Sequence, residues 1–161
     1  MPKQVNKKIK NATPLDYDGM HFKSQLEVMC YKTLKELGFS PLYEQKKYQI
    51  FLGFVPHVPF YTKNTFTRKN KNINIVSGST VVDFRKINPW DYTPDFYLEY
   101  NDYIIYIECK GFYNDVARYK SKLFRWFLEK TQQDDNNHKY EYWEIHTKKQ
   151  LLDCIKHIVD E

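Results

Sequence analysis

From residue 22 to residue 37 the apolar positions Phe22, Leu26, Met29, Cys30, Leu34 and Leu37 recur at three- and four-residue spacing, which predicts a helix with one buried face. Ser24 with Glu27 three residues on reads as a capping box at its start, and Gly38 as its stop. Residues 48–54 read as a strand. Ile73-Asn74-Ile75, the turn signal Ser77-Gly78-Ser79 and Val81-Val82-Asp83-Phe84 predict a hairpin near 71–86. Two further strands, 92–99 and 103–109, flank Tyr100-Asn101-Asp102 as a second hairpin, closed by Gly111. Asn114 or Asp115 then caps a helix over 115–130, with Val116, Leu123, Phe124 and Phe127 inward and Arg118, Lys122 and Arg125 outward. The polar run 131–139 reads as a loop and 140–146 as a strand, and Thr147-x-x-Gln150 caps a last helix to 159. Helix, strands, helix, strand, helix is the order of an α/β protein with a mixed central sheet flanked by helices.

The chain of 161 residues is the size of one ordinary domain with room for an insertion, and 42% hydrophobic residues suffice for a core, which excludes wholesale disorder. We read 1–14 as a flexible basic arm and 15–161 as a single domain with a hairpin insertion at about 55–90. Three cysteines without C-x-x-C spacing argue against a disulfide framework and a structural zinc site, and imply a reducing compartment. The apolar stretch 50–60 is cut by Pro56 and Pro59, so no signal peptide and no membrane span are expected. A net charge of +5 permits a polyanionic partner without requiring one.

Candidate chemistry lies at the end of the second hairpin. Glu108 and Lys110 project from one face of their strand and Cys109 from the other, and hairpin pairing carries Asp95 beside Glu108. Two carboxylates at the end of an apolar strand pair need compensation, because neither ionises freely beside the other. Mg²⁺, for which Mn²⁺ substitutes, is the natural compensation, with Asp95, Glu108 and the backbone carbonyl of Cys109 as oxygen donors. Lys110 would assist a water nucleophile, which outlines a phosphodiester hydrolase. A plain cross-strand ion pair of Glu108 with Lys110, and a purely capping Glu27, are the competing structural readings.

Pro94-Asp95, twelve intervening residues, then Glu108-Cys109-Lys110 resembles the signature of the PD-(D/E)xK nuclease superfamily. Phe22-Lys23-Ser24-Gln25-Leu26-Glu27, followed by Lys32, Leu34, Gly38 and Tyr43-Glu44, resembles the N-terminal helix of the phage endonuclease I family of Holliday-junction resolvases. Tyr92-Thr93-Pro94-Asp95-Phe96 and Glu108-Cys109-Lys110-Gly111 then stand in that family's order.

The resemblance implies a restriction-endonuclease-like core. It implies catalysis by Glu27, Asp95, Glu108 and Lys110, with Glu27 as a helix-borne acid reaching the metal or its water and Asp95 and Glu108 binding the metal. It also implies a homodimer on branched DNA in the cytoplasm, that of a host cell for a phage enzyme. In the family the subunits exchange elements; here about forty residues intervene where the family has a short connection, which leaves that exchange open. The insertion interleaves Lys63, Arg68, Lys69 and Lys71 with Tyr61 and Phe66, a mixture suited to gripping DNA or to a solvated ribbon. Lys69, Arg118, Lys122 and Arg125 are the candidate DNA contacts. Cleavage of ordinary duplex and non-catalytic DNA binding are the rival functions. The intact Glu27, Asp95, Glu108 and Lys110 set disfavours the latter.

Overall fold

The computed structural model describes residues 13–65, 70–111 and 115–160. In chain order the elements are β1 (Leu15–Tyr17), β2 (Met20–Phe22), α1 (Gln25–Glu36), β3 (Leu42–Tyr43), β4 (Tyr48–Phe51), β5 (Phe60–Lys63), β6 (Ile73–Ser77) and β7 (Thr80–Asp83). They continue with β8 (Trp90–Tyr92), β9 (Phe96–Tyr100), β10 (Tyr103–Cys109), α2 (Asp115–Asp134), β11 (Lys139–Ile145) and α3 (Lys148–Asp160). The chain divides into two compact units, one formed by 1–47 with 92–161 and the other by 48–91.

The larger unit is a mixed four-stranded sheet in the order β11-β10-β9-β3, flanked by three helices. β9 and β10 run antiparallel with Phe96 opposite Ile107, and β10 runs parallel to β11 with Glu108 opposite Glu144. Alternation sorts the side chains. Phe96, Leu98, Ile105, Ile107 and Ile145 face the main core with Val28, Cys30 and Leu34 of α1 and Leu151, Ile155 and Ile158 of α3. On the other face Phe124 of α2 packs its ring 4.6 Å from Tyr92, 5.2 Å from Tyr106 and 5.5 Å from Tyr142. The Glu108 face of β10 is therefore the α2 face, and the Cys109 face is the α1 face.

α1 begins at Ser24, whose Oγ accepts from the Glu27 N–H at 3.2 Å. It ends where Gly38 takes a φ of 87°, with Gly38 N–H bonding Lys35 O and Phe39 N–H bonding Leu34 O, both at 3.0 Å. Phe22 does not open the helix but closes β2, its ring 4.6 Å from Tyr43 and 6.3 Å from Phe96. β1 and β2 form a hairpin whose Asp18-Gly19 turn has positive φ at both residues, the backbone of a type I′ turn. The expected strand 92–99 is broken at Thr93-Pro94-Asp95, where Pro94 has no N–H to give a ladder. α2 runs four residues past Lys130, absorbing part of the expected loop, and Val116 on its first turn is exposed rather than inward. α3 is capped as its sequence predicts, with Gln150 N–H on Thr147 Oγ1 at 3.2 Å and His146 N–H on Gln150 Oε1 at 2.9 Å.

The smaller unit takes in the interval read as an insertion. It holds more than the expected hairpin, for β5, β7 and β6 make a three-stranded antiparallel sheet in that order, beside a two-stranded ribbon of β4 and β8. Val81, fully buried, sits opposite both Thr62 and Ile75.

Candidate active site at the end of the β9–β10 hairpin

The β9–β10 register delivers Asp95 one step beyond the Phe96–Ile107 pair, level with Glu108. Asp95 Oδ2 accepts the Cys109 N–H at 2.7 Å, tying the approach to β9 onto the end of β10. Glu108 is buried, 6% exposed; Lys110 Nζ donates to its Oε1 and the Tyr92 hydroxyl to its Oε2. The Tyr92 hydroxyl lies 2.8 Å from that of Tyr142. The pKa of each phenol is pushed up by burial and by the Glu108 charge.

Glu27, 5% exposed, stands in the first turn of α1. Its carboxylate accepts from Lys23 N–H at 2.9 Å, Ser24 Oγ at 2.8 Å and the Tyr43 hydroxyl at 2.7 Å. The capping reading is thus realised, and the carboxylate reaches back to the amide of Lys23. It does not remove Glu27 from the cluster, because Glu27 charge acts on both Asp95 and Cys109. Burial lowers the Lys23 ammonium pKa, but its ion pair with Glu44 and the charges of Asp95 and Glu27 outweigh this and leave it raised.

Asp95 is strongly perturbed. Burial first, then the charges of Glu108 and Glu27, push its pKa up from 3.8 to about 8, against the Cys109 amide and Lys110, which lower it. Three carboxylates thus share one neighbourhood with Lys110, and Asp95 is left short of positive charge. These hard oxygen donors fit Mg²⁺ or Mn²⁺ in kind. In the arrangement seen, both oxygens of Glu27 and of Glu108 and Oδ2 of Asp95 are turned to internal donors, and among the described residues no three His, Cys, Asp or Glu side chains converge as a metal-binding group. Cys109 ends β10 opposite Ile145, and its Sγ meets Cys30 Sγ of α1 at 3.3 Å.

The basic candidates divide. Arg118, Lys122 and Arg125 are exposed and recur along one stripe of α2, next to the buried Ser121, Phe124 and Leu128. Lys69, Arg68 and Phe66 lie outside the described residues. The motifs include Tyr92 and Tyr43 without a role, which the structure gives them on Glu108 and Glu27, and they omit Tyr142, which meets the Tyr92 hydroxyl, and Glu144, which stands opposite Glu108 and accepts from Ser121 Oγ at 2.8 Å. The sequence signal for Tyr142 and Glu144 is the alternation of 140–146, which sets both on the face of β11 that parallel pairing turns toward α2.

No protein-family model, no curated protein and no solved structure matches the chain. No helix among the described residues is long and apolar enough to cross a membrane.

Proposed function

We propose that the protein is a metal-dependent DNA endonuclease of the PD-(D/E)xK type, with a restriction-endonuclease-like core, that hydrolyses phosphodiester bonds in branched DNA. The observation that carries this reading is the meeting of Asp95, Glu108 and Lys110 at one hairpin end, with the Asp95 carboxyl raised by burial and by the Glu108 charge. Asp95, Glu108, Glu27 and the Cys109 carbonyl are the groups to hold Mg²⁺, which when bound supplies Lewis-acid chemistry and cancels the excess negative charge. The remaining work falls to the chain itself. Lys110, whose side chain is 17% exposed beside Glu108, holds a proton and a positive charge where a phosphate would arrive. Tyr92 fixes Glu108 from behind, its own hydroxyl held by that of Tyr142, and Tyr43 fixes Glu27. Arg118, Lys122 and Arg125 give α2 a basic stripe to hold phosphates. A two-fold homodimer sets two such sites on a four-way junction. A phage enzyme with this activity acts in the cytoplasm of its host.

The test is incubation of the purified protein with MgCl₂ and either a four-way junction or a linear duplex of the same sequence, beside Glu108→Gln. Paired nicks at the junction alone, absent in the variant, support the reading. Equal cutting of the linear duplex transfers it to an ordinary duplex endonuclease. Tight binding with no metal-dependent cutting leaves a DNA-binding protein and ends the catalytic reading.

A further inference from the structure

The positive charge of the chain is unevenly placed. Residues 48–91 carry Lys63, Arg68, Lys69, Lys71, Arg85 and Lys86 against Asp83 and Asp91, a net +4 of the total +5. This smaller unit also leaves large rings in solvent, with Phe54 48%, Trp90 43%, Phe60 62% and Tyr61 61% exposed. Monomeric proteins seldom gather exposed aromatics on so small a body without a partner for them.

The Phe54–Trp90 pair is built into the backbone. Phe51, half-buried, lies between the two, its ring 6.2 Å from Phe54 and 6.3 Å from Trp90, edge-on to each. Phe54 and Ile87 exchange both backbone hydrogen bonds, at 3.0 and 2.9 Å. Gly53 permits this approach, because a Cβ there would stand 2.6 Å from Ile87 O and 2.7 Å from Pro89. Rings held this way lose little freedom when something stacks on them. Lys86, exposed, immediately precedes Ile87.

We propose that the described part of 48–91 is a single-strand-binding element, in which bases of an unpaired DNA strand stack on Trp90 and Phe54 while Lys86 neutralises a phosphate. Fixed aromatic faces in a cationic unit match a polyanion whose bases are free to stack, and bases inside a duplex do not offer those faces. A second copy of the chain is the poorer occupant, since two units of net +4 repel each other. The inference deepens the reading above, on which it rests for DNA as the polymer, and adds recognition of the unpaired strand near a branch.

The experiment is fluorescence anisotropy of the full chain in EDTA at 0.15 M salt, with labelled oligo-dT and a duplex of equal length. The expected result is tighter binding of oligo-dT than of duplex. Trp90→Leu, which keeps apolar bulk but removes the π-face, should weaken oligo-dT binding by about 5- to 150-fold, while Trp90→Phe retains most of it. Lys86→Ala should lower the slope of log affinity against log salt by about 0.7. Unchanged oligo-dT affinity in a folded Trp90→Leu protein overturns the proposal. So does a parent dimer, seen in sedimentation, that Trp90→Leu dissociates while oligo-dT binding stays constant, for the surface then belongs to a second copy. Binding in EDTA is independent of cleavage. An uncut junction with ring-dependent oligo-dT binding therefore fails the nuclease alone, and a cut junction with ring-independent binding fails this inference alone.

Discussion

Asp95→Asn should make the metal-free protein more stable at pH 8 while leaving it unchanged near pH 4. The folded-state pKa of Asp95 is raised from 3.8 to about 8 by burial and by the Glu108 charge. Between those values the folded protein keeps a proton that the unfolded chain has released, so stability is fully present below about pH 4 and is lost as pH rises to about 8. One pH unit corresponds to about 1.4 kcal/mol, which caps the loss near 5 kcal/mol over the window. Asp95 is only partly buried and its neighbours include Lys110 and the Cys109 amide, which favour its charge, so roughly half of that, about 2–3 kcal/mol, is the expected effect. Asparagine cannot ionise, yet its carbonyl oxygen still accepts the Cys109 N–H. Thermal melts in EDTA from pH 4.5 to 8.5 should show the variant's Tm rising above the parent's by about 4–12 °C at the alkaline end. Millimolar MgCl₂ at pH 8 should then raise the parent's Tm and leave the variant's unmoved. A gap that does not widen with pH, or a variant less stable than the parent at pH 8, refutes the idea that Asp95 is an uncompensated buried charge.

Tyr43→Phe removes one of three donors from the buried Glu27 carboxylate and should cost about 1–2 kcal/mol in urea unfolding; no loss would mean that Lys23 N–H and Ser24 satisfy Glu27 without it. Phe124→Ala empties the centre of the ring cluster of Tyr92, Tyr106 and Tyr142 and should cost about 3–5 kcal/mol, read as a lowered urea midpoint. Its near-UV circular dichroism should weaken, and a variant with the parent's midpoint would show that α2 is not anchored there.

The elements legible in the sequence are those whose signal is local. β9 alternates buried and less buried positions, β10 is a seven-residue apolar run buried over Ile105–Glu108, the two flank a tight turn in which Asn101 takes a φ of 51°, and the buried stripes of α1 and α3 repeat over several turns. Shorter elements escape periodicity. β3 is two residues long and exists because Leu42 and Tyr43 pair with Tyr97 and Phe96, after which Glu44 N–H bonds Asp95 O at 2.8 Å. β1 and β2, three residues each, carry a readable Asp-Gly turn but too little alternation to announce the strands. The start of α1 is displaced for a similar reason, since Phe22 fits the helical spacing while its ring is claimed by Tyr43 and Phe96.

The candidate site divides along the same line. Asp95, Glu108 and Lys110 are readable because one hairpin register and one alternation bring them together, both of them properties of adjacent segments. Their tyrosine support is not. Tyr142 comes to the Tyr92 hydroxyl, and Glu144 opposite Glu108, only when β11 returns parallel to β10 after α2, and Tyr92 reaches Glu108 from beyond a break in the strand. Glu27 is the instructive case, for its cap and its place in the cluster prove compatible. Ser24 accepts from the Glu27 amide, whereas the Glu27 carboxylate is held by Lys23 N–H, Ser24 Oγ and Tyr43 within range of Asp95. A carboxylate fixed by three donors does not swing freely toward a cation without giving up hydrogen bonds in a buried place. The arrangement therefore makes Asp95, whose pKa is held up at about 8 by burial and the Glu108 charge, an acid whose proton a bound cation would displace, while Glu27 stays on its three donors.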